Sequence, residues 1–220
     1  MIYFCCNPSE WFGYKDDENL KYRNYLPESD FRQISAGETI LDIWNNIPTP
    51  LVPKLQSVTV NPKTTALLIL DMQNSICKSP RCIETIPNIN NLLTTARKNN
   101  MLIIYSLTNV GTTSDIFNSL TPTKKDPIVK SYVDKFYRTD LEALLNAKGI
   151  KTVIITGYAA NGAVLHTATG AAFRCYSVIL PVDCISAQDP YAEQYTLWHM
   201  LYSPGTKGHV TLTRSRSISF

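Results

Sequence analysis

The sequence predicts an α/β fold in which a mainly parallel sheet carries helices on both faces, a three-layer α/β/α arrangement. Short apolar runs recur along the chain from Thr64 onward, and such runs are typical of strands that are buried on both faces. Segments with helical periodicity lie between these runs. Strands that alternate with helices form βαβ units with right-handed crossovers, so the pattern predicts a parallel sheet.

The first strand is predicted over Ala66–Met72, an apolar run that is too short for a helix and contains the charge of Asp71 near its end. A helix is predicted over 86–99, where apolar residues share one face, and a second buried strand follows over 101–107. The next helix is predicted over 141–149, with Thr139 or Asp140 as the N-cap and Gly149 as the C-terminal stop. The remaining elements continue the alternation: strands over 151–157, 176–183 and 209–215, and helices over 162–175 and 190–202.

The chain divides into an irregular first part and a regular second part. Residues 1–63 mix aromatic and charged side chains and end in a stretch that contains four prolines. Such a segment does not build its own core easily, so we expect an N-terminal extension that packs on the main domain or on a neighbouring subunit. Residues 64–220 are predicted to form the α/β domain.

Composition narrows the function classes. The chain has 220 residues, 44% of them hydrophobic, and a formal net charge of +3. Its basic residues are scattered, whereas nucleic-acid binding needs a basic face, so we expect no nucleic-acid partner. We also expect no membrane partner, since no apolar run approaches the roughly 18 residues of a spanning helix. The N-terminus has no signal-peptide pattern, and we therefore predict a soluble, cytoplasmic protein whose six cysteines are mostly buried, reduced thiols.

Metal and cofactor sites are not predicted. Cys77 and Cys82 have no CxxC spacing, which zinc sites commonly use. The three histidines, His166, His199 and His209, lie far apart in the predicted elements and are interpreted as packing or surface residues. We therefore expect no metal and no cofactor.

Polar residues at the carboxyl ends of strands are the candidates for chemistry, because ligands of open α/β sheets bind there. Asp71 ends the first strand, and its alternative role is to brace a loop. Lys130 precedes a helix, and a lone lysine is usually a solvated surface residue. The turn 157–168 joins a strand to a helix, and backbone N–H groups there favour anions or oxyanions; alternatively, its small residues only allow close packing.

Three motifs in order resemble the isochorismatase-like (cysteine hydrolase) family over roughly residues 64–215. The first is the strand end Asp71-Met72-Gln73-Asn74. The second and third are marked by the following residues: Lys130, Phe136, Thr139 and Leu141, and then Gly157, Asn161, Val164, Thr167 and Ala168. In the second motif, Asp134-Lys135 stands where the family has Ser-Ala.

The resemblance implies a catalytic set of Asp71, Lys130 and the position of the family cysteine, which is Ala163 here. Alanine cannot act as a nucleophile. The resemblance also implies a cis peptide bond at Tyr158–Ala159 and a homo-oligomer, either a dimer or a tetramer. We expect these residues to bind a small-molecule substrate: Gln73, Thr108, Phe136, Tyr158, Ala159, Asn161 and Gly162.

Three functions remain open at this point. The chain is a hydrolase that needs no cysteine, as are family members that cleave a vinyl ether by acid catalysis, with Asp71 as the general acid. Alternatively, it is a catalytically silent protein that binds a small molecule or has a structural role. The third reading is an amidase whose cysteine was replaced by alanine. The first reading requires that burial of Asp71 outweigh the attraction of a nearby lysine.

Overall fold

The computed structural model describes residues 37–220, which fall into two compact units. The first comprises, in its described part, residues 37–54, with a 3₁₀ turn at Trp44–Asn46. The second contains Leu55–Phe220 and carries all the strands and α-helices described below. Residues 1–36 of the predicted extension lie outside the described residues, so their packing stays a prediction.

The second unit is built on a parallel sheet. Its strands and those of a small accessory sheet are β1 (Val58–Thr59), β2 (Thr65–Leu70), β3 (Leu102–Thr108), β4 (Ile128–Ser131), β5 (Thr152–Tyr158), β6 (Ser177–Pro181), β7 (Ile185–Ser186), β8 (Val210–Thr213) and β9 (Ile218–Ser219). The main sheet has the order β4-β3-β2-β5-β6-β8, and β7 pairs with the end of β5. All its pairs are parallel, which confirms the predicted fold class. A separate parallel pair joins β1 to β9.

Helices cover both faces of the main sheet. They are α1 (Pro80–Lys98), α2 (Leu141–Ala147), α3 (Leu165–Phe173) and α4 (Pro190–Tyr202). One core contains the buried side chains of α1, among them Ile89 and Leu93. The other core contains Leu145 of α2, Ala168 of α3 and Met200 of α4. Strand residues alternate between the two cores, as expected for a sheet that is buried on both sides.

Several elements depart from the predictions, among them β1, β7 and β9, which are two residues long and were not predicted. Helix α1 begins at Pro80, six residues before the predicted start at 86, because Ser79 caps it: its hydroxyl accepts a hydrogen bond from the Cys82 N–H, and proline is favourable at the first position. Strand β4 was not predicted. It is a four-residue edge strand that pairs with β3, too short to produce a clear apolar run.

The expectation of reduced thiols is wrong. Cys77 and Cys82 form a disulfide in which the two Cα atoms are 5.5 Å apart, and Cys175 is also disulfide-bonded. Among the described residues, Cys184 is the free cysteine, and it is buried. No CxxC spacing marked the first pair, because the two cysteines meet across the junction between a loop and the first turn of α1.

The order of the strands locates a switch point. From β2 the chain continues to β3 and β4 on one side of the sheet and then crosses to β5, β6 and β8 on the other. In doubly wound sheets, ligands bind outside the carboxyl ends of the strands at such a point. Here that place lies beyond the paired residues Leu70 and Gly157, where Asp71 follows β2.

Candidate active site

Asp71 lies at the switch point and is held by two donors. It is only 4% exposed and has a φ of 49°, in the left-handed region that few non-glycine residues adopt. One carboxylate oxygen accepts a 2.7 Å hydrogen bond from the Ser106 hydroxyl, and the other lies 2.7 Å from Lys135 Nζ. Ser106 Oγ in turn accepts from the backbone N–H of Asp71 at 3.2 Å. These contacts fix the position of the carboxyl group.

Lys135 is fully buried and saturated with acceptors. Besides Asp71, its ammonium group lies within hydrogen-bonding distance of the backbone carbonyls of Leu107 (3.4 Å), Ser131 (3.1 Å) and Tyr132 (2.5 Å). An ammonium group has three N–H donors for these four acceptors. Lys135 therefore acts as a fixed positive charge beside Asp71 rather than as a donor to a ligand.

The prediction that Asp71 pairs with Lys130 is wrong, because Asp71 pairs with Lys135. Lys130 lies on β4, opposite Leu107 of β3, and its side chain is exposed. Successive side chains of a strand point to opposite faces of the sheet. The spacing of the two lysines in the sequence therefore does not show which of them turns inward. One signal was present in the sequence: Lys135 occupies a position where the family has a small residue.

Helix α3 secures the segment that carries Lys135. The hydroxyl of Thr167 accepts a hydrogen bond from the Lys135 N–H at 3.1 Å and donates to the carbonyl of Val133 at 3.4 Å. Thr167 is itself fully buried. The third motif of the sequence thus meets the second motif through α3, which is the helix that follows the turn with Ala163.

The turn after β5 contains the expected cis peptide bond at Tyr158–Ala159, which confirms that prediction. It continues as a π-helical turn over Ala160–Val164, in which Ala163 is 4% exposed. Gly162 has non-helical angles, φ −117° and ψ −108°. Ala159 occupies the N-cap of this turn without a side-chain bond, and Asn161 is exposed.

Gln73 and Thr108 brace the site from one side. Gln73 is 1% exposed, and its amide oxygen accepts from the Thr108 N–H at 2.9 Å while its amide nitrogen donates to Asp115 at 3.0 Å. Its side-chain oxygen and nitrogen are therefore both engaged within the protein. The two residues border an open cleft of about 570 Å³ whose wall also includes Gly111 and Asp115.

Phe136 and Tyr158, the two aromatic residues predicted to bind the substrate, pack against the two hydrophobic cores. Phe136 is 6% exposed, stacks on Tyr176 with ring centroids 6.3 Å apart, and has the guanidinium of Arg174 over its ring at 4.4 Å. It is a core residue beneath Lys135. Tyr158 is half-buried and packs against the core on the α1 side of the sheet.

Burial dominates the electrostatics of the site. It raises the pKa of Asp71 above the usual value for an aspartic acid, and the opposing effects of Lys135 and the Ser106 hydroxyl are smaller. Asp71 thus holds its proton to a higher pH than a free aspartic acid. The Cys184 thiol also has a raised pKa, because it is buried and lies near Asp183.

Two features are absent from residues 37–220. No cluster of three or more histidine, cysteine or acidic side chains in that range has the arrangement of a metal site. No helix within it is long and apolar enough to cross a bilayer.

Comparison with known proteins gives a consistent result. Residues 65–214 match the isochorismatase domain. The chain is 30% identical over 158 residues to an uncharacterized isochorismatase family protein of Bacillus subtilis, an alignment that covers 61% of this chain and 87% of the relative. It is also 30% identical over 146 residues to a secreted isochorismatase effector of Verticillium dahliae, covering 60% of this chain and 77% of the effector.

A solved structure shows the same fold. The N-carbamoylsarcosine amidase from Thermoplasma acidophilum superposes with a TM-score of 0.61 at 23% identity, over 69% of this chain and 96% of the amidase. The domain match spans the strands and helices that position Asp71, Lys135 and Ala163. This chain therefore belongs to the isochorismatase family.

Proposed function

We propose that this chain is a hydrolase of a small carboxylic acid that works without a cysteine nucleophile and cleaves a vinyl ether with Asp71 as the general acid. The observation that carries the proposal is the balance of effects on Asp71. Burial raises its pKa although Lys135 lies 2.7 Å away. A raised pKa favours the protonated carboxyl, which is the form that acid catalysis requires.

In this mechanism Asp71 donates its proton to the terminal carbon of the vinyl ether. A C–H bond forms, and the ether oxygen stabilises the resulting oxocarbenium ion. Water then adds to the cationic carbon and loses a proton to the Asp71 carboxylate. The hemiketal finally breaks its C–O bond: the hydroxyl proton is transferred to the departing ether oxygen, and a ketone and an alcohol are released. Lys135 stabilises the carboxylate that forms when Asp71 gives up its proton, and its fixed position costs no reorganisation.

The state of the four cysteines within residues 37–220 supports a mechanism without a thiol. Cys77, Cys82 and Cys175 are disulfide-bonded. Cys184 is buried, and its raised pKa keeps it in the unreactive thiol form. Ala163 occupies the position of the family cysteine. We expect turnover to survive treatment of the folded protein with an alkylating agent.

The test is a turnover assay on the purified full chain with isochorismate as the vinyl ether, in which release of pyruvate is measured. Asp71→Asn should lower kcat by at least about a hundredfold, because general acid catalysis contributes about that much or more. Asp140→Asn is the matched control, since Asp140 is an exposed aspartate that makes no side-chain cap bond to α2. Equal activity of Asp71→Asn and the wild type would refute the assignment of Asp71.

The two lysines of the second motif allow a second comparison. Lys135→Met should abolish turnover and lower the free energy of unfolding by at least about 1–3 kcal/mol, because it leaves the backbone carbonyls of Ser131 and Tyr132 without their buried donor. Lys130→Met should change both quantities little, since Lys130 is exposed. Loss of activity in Lys130→Met with retention in Lys135→Met would show that the catalytic lysine is Lys130.

The disulfides weigh against the predicted localisation in the cytoplasm. We propose that the chain works in an oxidising compartment, because disulfides persist there and are rare in the cytosol. That one relative is a secreted effector is in keeping with this. Alkylation of the denatured, unreduced protein followed by peptide mass analysis should recover Cys77 linked to Cys82. Recovery of both residues as alkylated thiols, from protein made in its native compartment, would contradict the proposal.

A further inference from the structure

A second concave site lies at the carboxyl edge of the sheet, away from Asp71. It has a volume of about 480 Å³ and lies between α1, the turn after β6 and the segment after β8. Strands β2 and β8 are three places apart in the sheet. At about 4.8 Å per strand, the two strands are separated by roughly 14 Å. The cavity also shares no lining residue with the cleft beside Gln73 and Thr108, so the two are distinct sites.

The charged groups that line this cavity leave an excess of positive charge. Arg214 and Arg216 both contribute to its wall and are exposed. In the described part of the chain, neither guanidinium takes part in an ion pair. The carboxylate in the wall belongs to Asp183 and is hydrogen-bonded within the protein. Its two oxygens accept from the backbone N–H and the hydroxyl of Ser215, both at 2.8 Å.

The remaining wall combines an apolar floor with neutral polar groups. Leu92 of α1 and Ile218 are buried, and Phe220 is half-buried beside them. Asn91 and Thr95, one turn apart on α1, supply neutral polar groups at the rim. The volume of the cavity is within the range of small-molecule sites. Two guanidinium groups above such a floor match an anion that carries an apolar ring.

We propose that this cavity binds a small organic anion, in which a carboxylate or phosphate group contacts Arg214 and Arg216 and an apolar ring lies on Leu92, Ile218 and Phe220. The arginines select the anionic group because their planar forks bind oxyanions through two parallel hydrogen bonds. The apolar side chains of Leu92, Ile218 and Phe220 favour a ligand with a ring, because binding buries apolar area. The site is independent of the catalytic proposal, since it uses neither Asp71 nor Lys135.

The experiment is a titration of the full chain by calorimetry and amide NMR with four probes: benzoate, phenyl phosphate, inorganic phosphate and neutral benzamide. We expect saturable binding of benzoate or phenyl phosphate, with shifts of the amide signals of Leu92, Ile218 and Phe220. Inorganic phosphate should bind more weakly because it lacks the ring, and benzamide should not bind because it lacks the charge. Comparison of the benzoate and phenyl phosphate arms decides between a carboxylate and a phosphate ligand.

Variants separate this site from general charge attraction and from the catalytic site. R214Q/R216Q should weaken binding of the anion at least about tenfold. K124Q/K125Q removes the same charge from exposed lysines outside the cavity and should leave binding unchanged, as should D71N. The proposal is overturned if no ring anion binds to the wild type, if R214Q/R216Q binds as tightly as the wild type, or if D71N alone removes the shifts at Ile218 and Phe220.

Discussion

At the scale of single residues, Ser106 is the side chain that holds the Asp71 carboxyl group in place. Its hydroxyl donates to one carboxylate oxygen at 2.7 Å, and its oxygen accepts from the N–H of the same aspartate. Ser106 is 1% exposed, so water does not easily replace it. We assign it as a positioning residue that holds Asp71 through its carboxylate and its backbone.

Ser106→Ala should therefore change the pH dependence of turnover. The hydrogen bond from Ser106 lowers the pKa of Asp71, so its removal raises that pKa further. A general acid works while it is protonated, and the decline of kcat/KM with rising pH should move to higher pH in the variant. The free energy of unfolding should fall by about 1–3 kcal/mol for the lost buried hydrogen bond. An unchanged pH profile in a folded variant would reduce Ser106 to a purely structural role.

Ala163 provides the second prediction at this scale. A cysteine placed there would lie in the position of the family cysteine, within the turn that follows β5. We expect Ala163→Cys to show at most slow hydrolysis of a simple amide, because the pocket has the shape of another substrate and a misplacement of about 1 Å can lower rates a hundredfold. Amide turnover before and after alkylation of the variant measures this. Fast amide hydrolysis would instead identify the chain as an amidase that lost its cysteine.

At the scale of elements, the contact between β2 and β5 determines the shape of the site. Gly157 has a φ of 121°, and a Cβ atom there would lie 2.0 Å from the carbonyl oxygen of Leu70. Glycine is required at this point, since the backbones approach each other directly before Asp71 and Tyr158. The close approach keeps the turn with Ala163 near the end of β2.

Gly157→Ala should lower the free energy of unfolding by more than about 4 kcal/mol, because neither backbone can move without breaking the central strand pair. Gly149→Ala is the matched control. It also has a positive φ, 62°, but its Cβ would contact nothing within 4 Å, so the backbone conformation alone should cost about 1–2 kcal/mol. Urea denaturation of both variants gives the comparison. Equal midpoints would show that the contact with Leu70 relaxes at no cost.

At the scale of the whole molecule, α4 presents apolar groups on two sides. Thr196 and Met200 face the core, while Tyr191, Tyr195 and Trp198 remain 63%, 40% and 41% exposed. These three follow helical spacing and form one exposed aromatic stripe. A helix with apolar residues on both sides is usually covered on both, so the predicted dimer or tetramer has a candidate contact surface here.

Light scattering at micromolar concentration should give the mass of a dimer or tetramer, and Trp198→Lys should shift it toward the monomer, because a buried charge without a partner opposes association. Ile83→Lys is the control, since Ile83 is 42% exposed on α1. A monomeric wild type would refute the prediction of a homo-oligomer. A dimer that both variants leave intact would place the interface elsewhere.

The sequence by itself determined the fold class, the approximate position of most elements of the main sheet, and the place of Asp71. Strands that are buried on both faces leave continuous apolar runs, and helices leave a period of 3.6 residues, so both patterns are local. The three motifs also gave the family, the position of Ala163 and the cis bond at Tyr158–Ala159. Each of these depends on neighbours in the chain or on a recognised order of motifs.

Only the tertiary structure decided which groups meet. It turned Lys135 inward and left Lys130 exposed, and it brought Ser106 to Asp71 across 35 positions of sequence. It also joined Cys77 to Cys82 in a disulfide. The physical reason is the same in each case. A side chain's partner depends on strand register, on the face to which the chain turns and on the conformation of loops. A linear pattern of residue types does not specify these relations.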